Sequence, residues 1–132
     1  MSPYLSNLAR EISKALLPYN LNLFSQTAAE VAIEMYDSKL RPLVTLILQE
    51  RARVHSELKD ISGLEPVSSR ANFIVVRSSV EPRRVFDALL QRGILIRDVS
   101  AYPMLQDYFR IGIGTPEEND QLLGALRNIF AA

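Results

Sequence analysis

Two arginines, Arg97 in "ILIRDV" and Arg110 in "YFRIGI", sit among apolar residues of strand character. A guanidinium placed there costs stability unless something anionic meets it. Its planar fork is the preferred receptor for a carboxylate, because it binds both oxygens at once. Strand alternation sends Phe109, Ile111 and Ile113 to one face and Arg110 and Gly112 to the other. Gly112 leaves room for a ligand to approach the backbone beside Arg110. If the two strands are antiparallel neighbours joined through residues 102–107, both arginines end near one edge. Like charges that close repel unless an anion sits between them. That anion is either a carboxylate of the chain, Asp98 or Asp107, or a bound substrate.

No reactive centre accompanies this receptor. His55 is the single histidine and there is no cysteine, so a multi-histidine or thiolate metal site is excluded, as is a disulfide framework. His55 lies one residue off an apolar stripe, a boundary position. Lys14 falls on the solvent face of its helix, an ordinary surface lysine. Tyr19, Asn20 and Asn22 in "PYNLN" offer polar groups on an extended segment, although Pro-Tyr-Asn is also an ordinary turn. No glycine-rich phosphate loop, nucleophile elbow or catalytic carboxylate pair appears.

The whole chain has 132 residues, 48% of them hydrophobic, with 15 basic and 15 acidic side chains. That length suits one folded domain with a real core. Balanced charge gives no field to attract nucleic acid or an anionic membrane. No apolar run approaches the roughly 20 residues needed to cross a bilayer, and the N-terminus lacks the order of a signal peptide. The expectation is a cytoplasmic chain that binds neither nucleic acid nor membrane.

The elements that must position the arginines follow from periodicity. Leu5, Leu8, Ile12, Ala15 and Leu16 have helical spacing, and Pro18 stops that helix. Ser25 is the expected N-cap of an alanine-rich helix. A longer helix over about 39–61 carries Pro42 in its first turns. Its apolar stripe is Leu43, Leu46, Ile47, Val54, Leu58 and Ile61; Glu50, Arg51, Arg53, Glu57, Lys59 and Asp60 take its polar face. Gly63 is its stop. "ANFIVVRS" (71–78) reads as a strand covered on both faces. A helix over 81–93 has Pro82 in its first turn and Gly93 past its end. Strands at 94–99 and 108–113 precede a last helix, capped by Thr115 and Glu118 around Pro116, with Leu122, Leu126, Ile129 and Phe130 buried. The fold class is α+β: a small antiparallel or mixed sheet with helices on one face, preceded by long helices.

Taken in order, "LLPYNLNLFSQTAAEVAI", "RANFIVVR", "RGILIRDVS" and "YFRIGIGTPEENDQLLGAL" resemble the C-terminal part of histidinol-phosphate aminotransferases, pyridoxal-phosphate enzymes of fold type I. The resemblance spans about Leu16 to Leu126. It implies the family's small domain over residues 23–132, with residues 1–22 the helix and connector leading from the large domain. It implies that Arg110 grips a substrate α-carboxylate, that Arg97 handles the phosphate end, and that Asn72 has a structural or cleft-edge role. The implied substrate is a phosphorylated amino acid or amine, the assembly a homodimer, and the reaction an amino transfer from histidinol phosphate to 2-oxoglutarate in histidine biosynthesis. The family's Schiff-base lysine, its aspartate for the pyridine nitrogen and its cofactor phosphate cup lie upstream, and Lys14 is not in the lysine motif. The resemblance therefore implies a fragment that binds no pyridoxal phosphate and does not transaminate alone. Aromatic amino acids or threonine phosphate are alternative substrates, and a stand-alone anion- or partner-binding domain is the alternative of another class.

Overall fold

A computed structural model of the chain describes residues 3–14 and 22–131. They fall into two compact units, residues 1–41 and 42–132. The first holds α1 (Pro3–Ser13), α2 (Leu23–Glu34) and a π-helical turn (Tyr36–Leu40). α2 begins earlier than the Ser25 cap expected from sequence. The Asn22 side chain accepts from Ser25 N at 2.9 Å, so asparagine is the cap and Ser25 supplies the third N–H inside the helix. No described residue of α2 is buried within this unit.

The second unit holds α3 (Arg41–Lys59, from Pro42 onward), β1 (Leu64–Pro66), β2 (Phe73–Ser78), α4 (Pro82–Leu90), β3 (Arg97–Asp98), β4 (Tyr108–Gly112) and α5 (Pro116–Phe130). The sheet is antiparallel throughout, in the order β1-β2-β4-β3. Period-two alternation sets its faces. Ile74, Val76, Phe109 and Ile111 are fully buried and pack with Val54 and Leu58 of α3, Val85 and Leu89 of α4, and Leu122, Leu123 and Leu126 of α5. Each such side chain contributes roughly 1.5–3 kcal/mol of burial. The strand at 71–78 was expected to be covered on both faces, and it is not. Phe73 and Val75 stay half-exposed, because the helices all join the core on the other side.

α3 shows a second difference. Val54, Leu58 and Ile61 are buried as its stripe predicts, but Leu43 and Leu46 stay exposed within this unit. Glu50, assigned from sequence to the polar face, is buried. It receives Arg53 in a two-pronged grip, Nε to Oε1 at 3.0 Å and Nη2 to Oε2 at 2.7 Å. Arg53 also donates to Glu57 and Asp120. Asn119 of α5, itself buried, donates to Glu50 at 2.8 Å and holds both the N–H and the carbonyl of Gly114. This knot ties α3 to the turn that leads from β4 into α5. Hydrogen bonds from Arg53 and Asn119 hold the Glu50 carboxyl below its ordinary range. Arg127 and Arg53 do the same for Glu57. The expected capping box forms, with Thr115 N donating to Glu118 and Glu118 N donating to Thr115.

Two outcomes follow for stability. A depressed folded-state pKa means that Glu50 and Glu57 stabilise the fold fully above their unfolded value, and that this stabilisation is lost as pH falls through the folded values. Urea midpoints are therefore expected to fall on acidification below about pH 5, and the fall should be shallower in Glu50→Gln. That variant should lose about 2 kcal/mol at neutral pH, because Arg53 keeps its charge and loses its two-pronged, buried partner. Gly63 adopts φ +89°, and a Cβ there would meet Ser79 Oγ and the Phe130 ring. Gly63→Ala should cost about 3 kcal/mol in chemical denaturation.

Candidate anion-binding face of the sheet

β4 carries Arg110 between buried Phe109 and Ile111, so its side chain takes the face that the helices leave open. β3 pairs with β4 in a register that sets Arg97 directly opposite Arg110. Opposed residues hold their Cβ atoms about 5 Å apart. The antiparallel pairing considered in the sequence is thus the observed one. Val75 is the partner of Arg110 on the other flank. Arg110 is half-buried, with its guanidinium carbon 4.8 Å from the centre of the Phe73 ring, while Arg97 is exposed. That stacking fixes the guanidinium plane without using its N–H donors. Gly112, next on the same face, has open space where a side chain would stand.

Neither arginine has an ion pair among the described residues. Both carboxylates that might neutralise them are engaged elsewhere. Asp98 accepts from Ser100 N at 2.9 Å, and hydrogen bonds from Ser100 hold its carboxyl below the usual range. Asp107 lies 3.9 Å from Arg77. The face therefore presents two positive charges around apolar Phe73 and Val75, an arrangement suited to an oxyanion with a short organic body.

The remaining candidates lie elsewhere. Asn72 is exposed, and its carbonyl accepts from Ile113 N at 2.9 Å, a structural bond that extends the β2–β4 ladder. Lys14 donates to both oxygens of Glu11 on the surface of α1. Asn22 caps α2, and Tyr19 and Asn20 fall outside the described residues. His55 is half-buried on α3. Sequence reasoning missed the Glu50–Arg53–Asn119 knot that anchors the end of β4. Its one legible signal was the i, i+3, i+7 spacing of Glu50, Arg53 and Glu57 beside the apolar stripe.

Among the described residues no group of histidine and carboxylate side chains could hold a metal ion. Nor is any described helix long and apolar enough to cross a membrane. The face does not fit an aldehyde cofactor, which needs an amine to hold it. Lys59 is the one lysine in residues 42–132, and it is exposed in the last turn of α3.

Comparison with known proteins places this unit. No protein-family model matches the chain. A histidinol-phosphate aminotransferase from Carboxydothermus hydrogenoformans is 39% identical over 127 residues, covering 94% of this chain and 34% of that protein. Another, from a Hydrogenobaculum species, is 36% identical over 120 residues, covering 91% of this chain and 34% of its own length. The crystal structure of the histidinol-phosphate aminotransferase from Clostridium acetobutylicum superposes with a TM-score of 0.79 at 26% identity, over 95% of this chain and 38% of that one. That of a putative aminotransferase from Burkholderia pseudomallei gives 0.80 at 30% identity, over 94% and 37%. The chain spans about a third of the length of the curated relatives it matches. Along nearly all of its length it is homologous to one third of a histidinol-phosphate aminotransferase, and it has the fold of the small domain of a fold type I aminotransferase.

Proposed function

We propose that this chain supplies the substrate-gripping small domain of a pyridoxal-phosphate-dependent aminotransferase that moves the amino group of histidinol phosphate to 2-oxoglutarate, giving imidazole-acetol phosphate and glutamate. The observation that carries the reading is the opposition of Arg97 and Arg110 on the open face of the sheet, with no carboxylate paired to either among the described residues. Arg110 holds a carboxylate of 2-oxoglutarate, and Arg97 takes the phosphate end of histidinol phosphate. Histidinol phosphate carries a phosphate and 2-oxoglutarate carries carboxylates, so two neighbouring forks serve either partner of the reaction in turn. Phe73 and Val75 exclude water from one side of the bound anion and so strengthen both contacts. The electron sink of the reaction belongs to the cofactor, and the lysine that holds it comes from outside residues 42–132. The working enzyme is a cytoplasmic homodimer, which is the assembly the family resemblance implies.

Two measurements test this. Titrating the chain with 2-oxoglutarate should shift the amide resonances of Val75, Arg110 and Gly112, and Arg110→Ala should abolish the shifts. The same variant should change thermal stability by less than about 1 kcal/mol, since it loses only the contact with Phe73. Unchanged titration together with a large stability loss would make Arg110 a structural residue and end this reading. Separately, the protein from its natural source, reduced with borohydride in the presence of pyridoxal phosphate, should carry one cofactor on a lysine outside residues 42–132. A 14.9 kDa species without cofactor would instead leave a binding domain that does not transaminate.

A further inference from the structure

A second set of basic groups lies on the helix-facing side of β2. α3 and the loop between β1 and β2 border a half-open pocket of about 260 Å3 lined by Arg51, Ala52, His55, Ser68, Ser69 and Ile74. Arg51, His55 and Lys59 are four residues apart, so one face of α3 carries a row of basic groups. Arg70 follows in the loop. No carboxylate lines the pocket. Arg51 uses one N–H on the carbonyl of Ala71 at 2.9 Å, which fixes its fork and leaves other donors free. The Ser69 hydroxyl is spent on the loop itself, donating to the Phe73 carbonyl at 2.6 Å and accepting from Ala71 N. The His55 ring and the Ser68 hydroxyl take no partner among the described residues.

We propose that this pocket is a second oxyanion site, separate from the Arg97/Arg110 face, which binds a phosphate group. Arg51 is the oriented cationic donor; His55 and Ser68 complete the shell, and Ile74 forms an apolar floor. The volume lies below the roughly 300–1,000 Å3 of sites for larger ligands. The occupant is therefore inorganic phosphate or the phosphate end of a small metabolite. Ile74 and Val75 point to opposite faces of β2, so an anion here cannot be the one held by Arg110.

His55 is the only histidine, so its ring resonances report on the pocket unambiguously. The test titrates the full chain at fixed pH and matched ionic strength with inorganic phosphate, with glycerol phosphate and with chloride. The expected result is a saturable His55 shift with the phosphates and none with chloride. It should persist in the Arg97→Gln/Arg110→Gln double variant and weaken about tenfold in Arg51→Gln and in Ser68→Ala, which lose a charge-assisted or neutral donor. Ser68→Ala removes no bond within the fold, so it tests the site even if Arg51→Gln unfolds. Tighter binding of glycerol phosphate would assign the pocket to a metabolite, and tighter binding of inorganic phosphate to the free ion. A shift of equal size with chloride would overturn the proposal. So would a shift lost in the Arg97/Arg110 double variant, or one unchanged in Ser68→Ala and in a folded Arg51→Gln.

Discussion

The one-sided covering of a four-stranded antiparallel sheet is the constraint on which the rest of the 42–132 unit depends. Side chains along a strand alternate, so burying Ile74, Val76, Phe109 and Ile111 beneath three helices sends Phe73, Val75 and Arg110 to the other face. A slip of one residue between β2 and β4 would drive the guanidinium into the core and expose two fully buried side chains. The same apolar burial that stabilises the fold therefore also fixes which way Arg110 points. The core and the open face share one register, set by the hydrophobic effect.

Electrostatics acts on this frame in two distinct ways. Around Glu50 the charges are mutually satisfied: Arg53, Asn119, Glu57, Asp120 and Arg127 form a connected set that pins α3 to the β4–α5 turn. The buried Glu50 carboxylate, so paired, keeps its charge where the strand ends. On the open face the arrangement is reversed. Arg110 rests on an aromatic ring, Arg97 faces solvent, and the nearby aspartates are engaged with Ser100 and Arg77. One cluster closes on itself, whereas the other stays available to an outside anion.

Much of this was legible in the residues. The helix starting at Pro82, the capping box of Thr115 and Glu118, the stop at Gly63 and the alternation through "FRIGI" depend on local chemistry, and they formed as read. The misreadings share another cause. Glu50 looked like a solvent residue because an isolated helix gives no sign that a buried asparagine from α5 will meet it. Leu43 and Leu46 looked like core because periodicity reports an apolar face but not what covers it. Ser25 looked like the cap because Asn22 and Ser25 are both good caps, and only backbone geometry decides which carbonyl begins the helix. The strand at 71–78 looked doubly covered because β-branched residues suit a half-buried face as well as a buried one.

By itself the sequence determined the order of elements except β1 (Leu64–Pro66), the α+β class and the face of its strand on which Arg110 lies, since propensity, capping and alternation act over a few residues. Its motif order also marked the aminotransferase resemblance. Tertiary structure alone decided that Arg97 and Arg110 stand opposite one another, that Asp98 and Asp107 pair elsewhere, and that Glu50 is buried. Each of these depends on which distant segments meet. Such meetings are set by the competition among all apolar surfaces for burial, which no local window contains.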